Sequence, residues 1–441
     1  TRKESSAASD VYKRQSAHTG VAGRRYIVRF KVKAETVAAR GALLASSPPR
    51  SINVTTSFGR VLNGGFAADL SPDGIAFLKA HPGVLVEQAG TMHALLPLPR
   101  EPAERFSSAR TSADAESPIV SGATPWGLDR IDQPRLPLND LYAAADLPLD
   151  TVHAFVIDTG MYRAHDELRA SVSTAPLQHF SAHARSDGAK LARDRVGHGT
   201  HCAGLLGGQS VGVAPGVHLH AVKVLGDDGS GSNEDVIAGM DWVAAYVQAE
   251  TQRTGRRLPA VASMSLGGSF SHMINDAVAD LVAHGVVVVA AGNDADDACN
   301  YSPASAAAAI SVGSSTRSDE PSFFTNYGRC VDIFGPGSDV LSAGIRAADA
   351  YVTMSGTSSA RRTRRRARAR PCRVTTAVKL MRRVRPPLAP RAQWPRRTLL
   401  ASSRSCSRCI RGRAPLGSRR SSSRAPSLTC SRPRQSSRSP T

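Results

Sequence analysis

The sequence predicts an α/β fold, in which a doubly wound, mostly parallel sheet follows a small α+β region and precedes a disordered basic tail. From residue 150 onward, apolar segments of strand length alternate with helical segments, the order typical of a parallel sheet with helices on both faces. Residues 285–291 form a continuous apolar run, which indicates a strand covered on both sides. Asp158 and Asn293 follow predicted strands closely, at the edge where such sheets bind ligands.

The charge of the chain is divided unevenly. The 441 residues carry a formal net charge of +20, which by itself suggests a nucleic-acid-binding protein. However, residues 361–441 contain 25 of the 56 Lys and Arg residues and none of the 36 Asp and Glu residues. Residues 1–360 therefore contain 31 basic and 36 acidic side chains and are mildly acidic. The basic character belongs to the Arg- and Ser-rich tail, whose composition is typical of disorder.

Cysteine usage and hydropathy exclude further classes. Four of the seven cysteines lie in the tail, where Cys406 and Cys409 have the spacing of half a zinc site but no histidine completes it. No run of about 18 apolar residues predicts a membrane-spanning helix. The chain begins at Thr1 without an apolar signal core, so an expectation of secretion needs other support.

Residues 25–98 are predicted to form a small domain of the β-α-β type. Apolar and charged residues alternate at its start, as in a half-buried strand, and Ser71 and Pro72 provide an N-cap and a first helical position. The predicted elements are a strand at 25–32, a helix at 35–44, a strand at 66–70, a helix from Ser71 to the stop at His81-Pro82-Gly83, and a strand at 84–87. Any small α+β domain fits this pattern.

Polar regions separate this domain from its surroundings. Residues 1–24 lack apolar periodicity and are expected to be disordered or extraneous, and residues 99–121 are rich in Pro, Glu, Arg and Ser, as in an exposed, cleavable linker. Residues 122–360 form the predicted main domain. Its predicted strands lie at 151–157, 217–225, 261–266 and 285–291, and its helices start at His198 or lie at 233–250 and 271–284.

Three short motifs of the main domain carry chemistry. Ser358 lies among small residues in the sequence 355–360, where a loop entering a helix can expose its hydroxyl. A hydroxyl needs a base to take its proton, and His198 in Gly197-His198-Gly199-Thr200 is the candidate. Asp158 in Asp158-Thr159-Gly160 is the candidate to orient the imidazole. Taken singly, Asp158 also fits a turn residue, and His198 fits a structural or surface histidine. His198 and His201 have the spacing of a zinc pair, but no third ligand is evident.

The three motifs together, in the order Asp, His, Ser, resemble those of the subtilisin-like serine proteases and are most similar to the proteinase K branch. The resemblance covers residues 25–360 and implies a serine-type endopeptidase with the triad Asp158, His198 and Ser358. It also implies secretion as a proenzyme, in which residues 25–98 are an inhibitor-like prosegment. The implied partners are protein or peptide substrates and the prosegment itself; no membrane and no specific nucleic acid are expected.

The resemblance further implies a substrate cleft. Asn293 matches the side chain that stabilises the oxyanion, a donor worth about 10²–10³ in turnover in subtilisin itself. Small residues match an edge strand that binds an extended peptide and the walls of a roomy pocket for apolar side chains. These residues are Gly229, Ser230 and Gly231 for the strand, and Ser265, Leu266, Gly267, Ala290, Ala291 and Gly292 for the walls.

The same resemblance accounts for the three cysteines outside the tail. Cys299 and Cys330 match a disulfide pair, which fits an oxidising compartment. Cys202 matches a buried free thiol beside the catalytic histidine.

A structural calcium site is also implied, whereas no cofactor is expected for catalysis. Asp332 matches a calcium ligand, and the other ligands would be the backbone carbonyls of Ala307 and Ala309.

The sequence departs from the family after Ala360. The family continues with one variable residue, Pro-His and a long buried apolar helix, whereas this chain continues with arginine-rich sequence at 361–366. Unpaired arginines cost several kcal/mol each to bury, so this segment cannot replace the helix. We hypothesise a frameshift, since discarding two bases from codons of the form CGC-CGC-ACG-CGG would restore Pro-His-Ala. The catalytic domain is therefore expected to be incomplete at its C-terminal end.

The sequence thus predicts a subtilisin-like endopeptidase whose own activity is low because the helix is missing. Two alternatives from other classes stay open. One is a catalytically dead protease fold that acts as a binder or inhibitor, and the other is nucleic-acid binding through the basic tail. The gene sequence across the codons for Ala360 and Arg361 would show whether the frameshift hypothesis is right.

Overall fold

A computed structural model of the chain describes residues 24–31, 36–48, 50–95, 124–143, 149–172, 179–183 and 192–356. All of these residues lie in one compact unit. The predictions for residues 1–23, for the linker at 99–121 and for the tail at 361–441 lie outside the described residues, and so does Ser358.

Residues 24–95, the N-terminal module, contain their own sheet. The elements are β1 (Arg24–Phe30), α1 (Thr36–Ala45), β2 (Ile52–Ser57), β3 (Phe66–Leu70), α2 (Pro72–Ala80), β4 (Val84–Gln88) and β5 (Thr91–Ala94). Four of the strands form an antiparallel sheet in the order β2-β3-β1-β4. Helix α2 begins as predicted, because Ser71 Oγ accepts the N–H of Gly74 at 3.2 Å. Strands β2 and β5 have no counterpart among the predicted elements.

The main domain alternates strands and helices as predicted. Its elements are α3 (Trp126–Asp132), β6 (His153–Asp158), β7 (Phe180–Ser181), α4 (His198–Gly207), β8 (His218–Lys223), β9 (Ser230–Ser232), α5 (Asn233–Thr254), β10 (Ala260–Met264), β11 (Leu266–Ser269), α6 (His272–Val282), β12 (Val286–Ala290), β13 (Tyr301–Ser302), β14 (Ile310–Ser315), β15 (Ile333–Pro336), β16 (Val340–Ala343) and β17 (Tyr351–Met354).

A seven-stranded parallel sheet forms the centre of this domain. Its order is β15-β14-β12-β10-β6-β8-β7, and every pairing is parallel. The strands that follow β6 lie on both of its sides, with β7 and β8 on one side and β10, β12, β14 and β15 on the other, so the carboxyl end of β6 is a switch point of the winding. The predicted doubly wound α/β fold is confirmed, and Asp158 is the last residue of the strand at this switch point.

Helices α5 and α6 close one face of the sheet, which we call the closed face. Side chains that alternate along the strands, such as Phe155, Ile157, Val287 and Val289, are buried there. They pack against the buried stripes of the two helices, which include Val236, Met240, Val243, Met273, Ala277, Val278 and Leu281. This face supplies most of the apolar core.

The opposite face, which we call the open face, is covered unevenly. Helix α4 covers it over β6 and β8, where Ala203 packs in one cluster with Ala154 and Val156. Farther along the sheet Val288 and Val312 are only half-buried, because no helix of the described residues packs over them. The expectation of a strand at 285–291 with two covered faces therefore holds for one face only within the described part of the chain.

The N-terminal module packs against the main domain through a shared apolar cluster, which includes Ile27, Phe58 and Met92, and through carboxylates that accept backbone N–H groups. Asp241 on α5 accepts from Gly59 at 3.1 Å, Arg60 at 2.5 Å and Val61 at 3.0 Å. In the opposite direction, Glu87 of the module accepts from the N–H of His272 at 3.0 Å, at the start of α6. Negative charge at a helix N-terminus is favourable, so this contact stabilises both partners.

A disulfide bears on the expected secreted character. Cys299 and Cys330 form the predicted disulfide, with Cα atoms 5.3 Å apart. Within the described residues, no helix combines the length and the apolar character that crossing a membrane requires.

Candidate active site

Asp158 and His198 meet at the carboxyl edge of the central sheet. Nδ1 of His198 lies 2.8 Å from Oδ1 and 3.0 Å from Oδ2 of Asp158. A carboxylate only accepts, so Nδ1 carries the proton and Nε2 is left as the acceptor of the neutral ring. Both residues are buried, at 0% exposure for Asp158 and 6% for His198.

The local backbone explains how His198 reaches this position. It is the first residue of α4, and Gly197 before it has φ of 99° as the N-cap. That left-handed conformation favours glycine, which accounts for the Gly-His sequence. Asp158 is held in turn by the N–H of Thr159, which donates to Oδ1 at 2.7 Å.

The electrostatic environment favours a protonated imidazole. Burial disfavours the charged ring, but the charge of Asp158 and its hydrogen bond outweigh burial, and Asp194 and the backbone of Leu95 add to the same side. The pKa of His198 is therefore raised. A base that sits beside two carboxylates can hold the proton that it takes from a nucleophile.

Asn293 lies across the cleft from this pair. It follows β12, and the turn that carries it is fixed by Asn326, which donates from Nδ2 to the Ala291 carbonyl at 3.0 Å and accepts from the N–H of Asp294 at 2.7 Å. A methyl group placed on Gly356 would lie 3.9 Å from Oδ1 of Asn293. The chain leading to Ser358 thus ends its described part beside Asn293, and the same cavity includes His198.

Strand β5 of the N-terminal module lies in the cleft between β9 and β11. The four strands of this second sheet run antiparallel in the order β13-β11-β5-β9. Ala94 donates its N–H to the Gly229 carbonyl at 2.8 Å, and Leu95 donates to the Ser265 carbonyl at 3.2 Å. Residues 229–231, which the sequence predicts to bind an extended peptide, pair here with an extended strand of the same chain.

This seating requires glycine on β11. A Cβ at Gly268 would lie 2.6 Å from the carbonyl of Thr91 and 2.9 Å from Sδ of Met92. The two backbones can approach only because this Cβ is absent.

The peptide leads directly to the catalytic pair. Leu95 follows β5, and its backbone interacts with the His198 ring. The side chain of Leu95 lines a cavity with four of the predicted wall residues, which are Ser265, Ala290, Ala291 and Gly292. Leu266 is fully buried in the core on the closed face, so it contributes backbone to β11 rather than a wall. Gly267 faces Leu95 from β11.

The cavity around Leu95 extends beneath the end of the described chain. Its volume is about 340 Å³, and it reaches the open face of the sheet. The apolar residues that line this extension include Leu128, Leu205, Leu206, Val213, Val288, Val312, Leu341 and Met354. The cavity lies next to residue 356, near the point after which the resemblance implies a buried apolar helix that residues 361–366 do not supply.

The other predicted site residues have varied surroundings. Cys202 is the free thiol of the described residues, and burial, followed by the nearby charge of Asp158, raises its pKa, so the thiol stays protonated. Asp332 is exposed, and its Oδ2 accepts the N–H of Ser311 at 2.8 Å. Ala307 is exposed and Ala309 is buried.

Sequence reasoning missed two side chains that organise the site. Asp194 and Lys223 are 3% and 1% exposed, and both bind Thr159, next to Asp158. Each lies outside the short motif whose residues it contacts. A single buried charged residue also produces no periodic pattern from which it could be predicted.

Comparison with known proteins gives a consistent picture. Residues 152–360 match the model of the Subtilase family, peptidase S8. An extracellular serine proteinase of Thermus sp. (strain Rt41A) is 40% identical over 337 residues, which are 76% of this chain and 77% of the relative. A cuticle-degrading protease of Metarhizium anisopliae is 38% identical over 323 residues, 73% of each chain.

Two further proteins are similar to this chain over different fractions of their own length. Alkaline serine exoprotease A of Vibrio alginolyticus is 41% identical over 311 residues, 70% of this chain and 52% of that one. The crystal structure of a cold-adapted subtilisin-like serine proteinase is 40% identical and covers 53% of this chain and 79% of its own, with a TM-score of 0.46.

Proposed function

The chain belongs to the subtilase family of serine-type endopeptidases, and we propose that it is the proenzyme of a secreted member, with Asp158, His198 and Ser358 as its triad. The N-terminal module is its prosegment and inhibitor. The observation that carries the proposal is β5, which occupies the cleft as a substrate would and brings Leu95 to His198.

In the proposed reaction, Nε2 of His198 takes the proton of the Ser358 hydroxyl while the serine oxygen bonds to the substrate carbonyl carbon. Asn293 donates to the oxyanion that forms. The C–N bond then breaks, the amine leaves with the proton from His198, and an acyl-enzyme remains. Water adds to the acyl group with His198 again as base, which releases the acid and restores Ser358. Asp158 holds the ring in the tautomer that this sequence needs.

The bond after Leu95 is the proposed processing site. The Leu95 side chain lies in the apolar pocket and its backbone lies at the catalytic histidine, so the next peptide bond is placed for cleavage. The linker at 99–121 would then remain on the mature enzyme until a second cut removes it. Extracellular peptides with an apolar residue before the cleaved bond are the proposed substrates.

The chain as it stands is proposed to have little activity. A helix that fills the cavity under residue 356 would support the nucleophile, and arginine-rich sequence is a poor match for an apolar cavity. Catalytic groups must be held within about 0.5 Å by their surroundings, so a chain that lacks this helix is expected to have a lower rate.

Processing provides the test. A frame-corrected full chain and its Ser358→Ala variant are expressed, and intact fragments are weighed by mass spectrometry. The corrected chain is expected to yield an N-terminal fragment that ends at Leu95, and Ser358→Ala is expected to stay whole. A Leu95→Asp variant should be cut slowly, because the pocket is apolar. A cut elsewhere with β5 retained in the cleft would contradict the site, and processing of Ser358→Ala would contradict the nucleophile.

Structural calcium is a separate proposal. Oδ2 of Asp332 is engaged by Ser311, which leaves Oδ1 as the oxygen for a cation, together with the carbonyls of Ala307 and Ala309. One carboxylate and two carbonyls suit calcium when water completes the shell. A chelator is expected to lower the Tm of the chain but not that of an Asp332→Asn variant; equal shifts in both would contradict the site.

A further inference from the structure

Asp194 is a buried carboxylate that hydrogen-bonds to residues close to Asp158 and to residues close to His198, without belonging to the catalytic pair. Its Oδ1 accepts from the N–H of Val196 at 2.9 Å and of Gly197 at 2.8 Å. Its Oδ2 accepts from the N–H of Thr200 at 2.8 Å and from the Thr200 hydroxyl at 2.7 Å. These donors lie on either side of His198, so Asp194 holds the first turn of α4 at both ends.

Asp194 is connected to Asp158 through Thr159. Its hydroxyl donates to Oδ1 of Asp194 at 2.9 Å and accepts the N–H of Gly199 at 3.0 Å. Its own N–H donates to Oδ1 of Asp158 at 2.7 Å. A continuous set of hydrogen bonds therefore runs from Asp158 through Thr159 and Asp194 to the residues that flank His198.

A second buried charge fixes Thr159 from the opposite side. Nζ of Lys223 donates to the Thr159 carbonyl at 2.7 Å and lies 3.1 Å from Asp227. Thr159 is thus held at its carbonyl by Lys223 and at its hydroxyl by Asp194. Few rotations of this residue keep both contacts, so the backbone next to Asp158 has one favoured position.

The charge of Asp194 also acts on His198 directly. No basic side chain pairs with this carboxylate among the described residues; five hydrogen bonds from neutral donors compensate its burial. An unneutralised negative charge near a buried imidazole favours the imidazolium form, and Asp194 is one of the groups that raise the pKa of His198.

We propose that Asp194 is a positioning residue of the catalytic pair, which fixes Asp158 and His198 relative to each other and stabilises the imidazolium form during turnover. The proposal rests on the roles assigned to Asp158 and His198. Its simplest rival is that Asp194 only caps helix α4, a task that its bonds to Gly197 and Thr200 would also perform. The rival predicts a loss of stability with no change at the imidazole.

Titration of the His198 imidazole distinguishes the positioning role of Asp194 from a role as a helix cap alone. Long-range ¹H–¹⁵N spectra of ¹⁵N-histidine-labelled full chain are recorded against pH, with His198 assigned by its loss in His198→Ala. Asp194→Asn is expected to move the titration midpoint of His198 to lower pH and to broaden its Nδ1–H signal. The matched control is Asp129→Asn, another fully buried aspartate that accepts two backbone N–H groups, from Asn139 and Asp140. It should leave the His198 signals unchanged.

The readout does not involve Ser358 and so remains valid if the chain proves inactive. A folded Asp194→Asn protein whose His198 midpoint matches the parent would overturn the proposal. If Asp194→Asn does not fold, Thr159→Val supplies the decision, because it removes the bridging hydroxyl and keeps the charge. Faster solvent exchange of the His198 Nδ1 proton in Thr159→Val supports the proposal, and unchanged exchange overturns it.

Discussion

The two faces of the central sheet are built from the same strands but are completed to different degrees. On the closed face Val287 and Val289 are 2% and 1% exposed beneath α6. On the open face their neighbour Val288 is half-buried and lines a cavity of about 340 Å³. Within the described residues, the same strand thus has one face in a well-packed core and the other face beside a cavity.

The difference shows that a continuous apolar sequence makes a strand suitable for burial on both faces but does not ensure that both faces are covered. The run at 285–291 is suited to two covering layers, and the described chain supplies one of them. Asp158 and His198 lie at the part of the open face that α4 covers, whereas the described chain ends at Gly356, beside the part over which no helix of the described residues packs. The proposed loss of activity therefore follows from where the cover is missing.

The largest effect is expected when the open face is completed. Frame correction after Ala360 should place an apolar helix over Val288 and raise hydrolysis of a chromogenic peptide with an apolar residue before the cleaved bond. In that active form Ser358→Ala should cost about 10⁶-fold in kcat, the figure that holds for subtilisin itself. Initial rates at equal protein concentration provide the measurement. Equal rates for the corrected and uncorrected chains would show that the helix is dispensable.

A smaller effect distinguishes the faces within one strand. Val289→Ala removes methyl groups from the closed face and should lower the free energy of unfolding by about 2–3 kcal/mol. Val288→Ala, one residue away, should cost less than about 1 kcal/mol because its side chain already contacts solvent. Denaturant unfolding of both variants gives the comparison. Similar costs would mean that the open face is as well packed as the closed one.

A further effect is expected on acid stability. Burial, then the neighbouring His218, lowers the pKa of His153 to about 4 against a contribution from Glu250, and burial lowers that of His201 to about 4. The unfolded chain therefore binds more protons between about pH 6.5 and 4, so stability is complete above that window and falls as pH falls through it.

His153 belongs to the closed face, where its ring stacks on His220, and His201 belongs to α4 on the open face. His153→Phe should make Tm less sensitive to pH in this window and leave the contribution of His201. Thermal unfolding over a pH series gives the comparison, and parallel profiles for the parent and His153→Phe would contradict the assignment.

Local patterns predicted most of the architecture, and long-range contacts determined the rest. The strand at 66–70 and the start of α2 follow from alternation and capping, and both occur at the predicted residues. Strand β5 was missed because the alternation of polar and apolar residues at 91–94 spans only four residues, too few to predict a strand; the segment is extended since β9 and β11 provide backbone partners on both sides. A pairing of that kind cannot be derived from the segment alone.

The site divides in the same way. Asp158, His198 and Asn293 stand in short motifs, and the structure gathers them at one edge of the sheet. Asp194 and Asn326 stand outside any motif, yet each fixes a loop that carries one of these residues. The roles of such buried side chains depend on contacts in the folded structure, which the spacing of residues in the sequence does not show.

The seating of β5 has a consequence for how the enzyme would be switched on. If the N-terminal module is the inhibitor proposed above, it is presented to its own cleft, while residue 95 remains joined to residue 96, at an effective concentration on the order of millimolar that the tether sets. Once the bond after Leu95 is cut, the inhibitor is a separate molecule, and its occupancy depends on the total concentration of protein. Dilution alone would then dissociate the inhibitor from the cleft. A cleaved proenzyme would therefore stay inhibited at high protein concentration and become active when it is diluted.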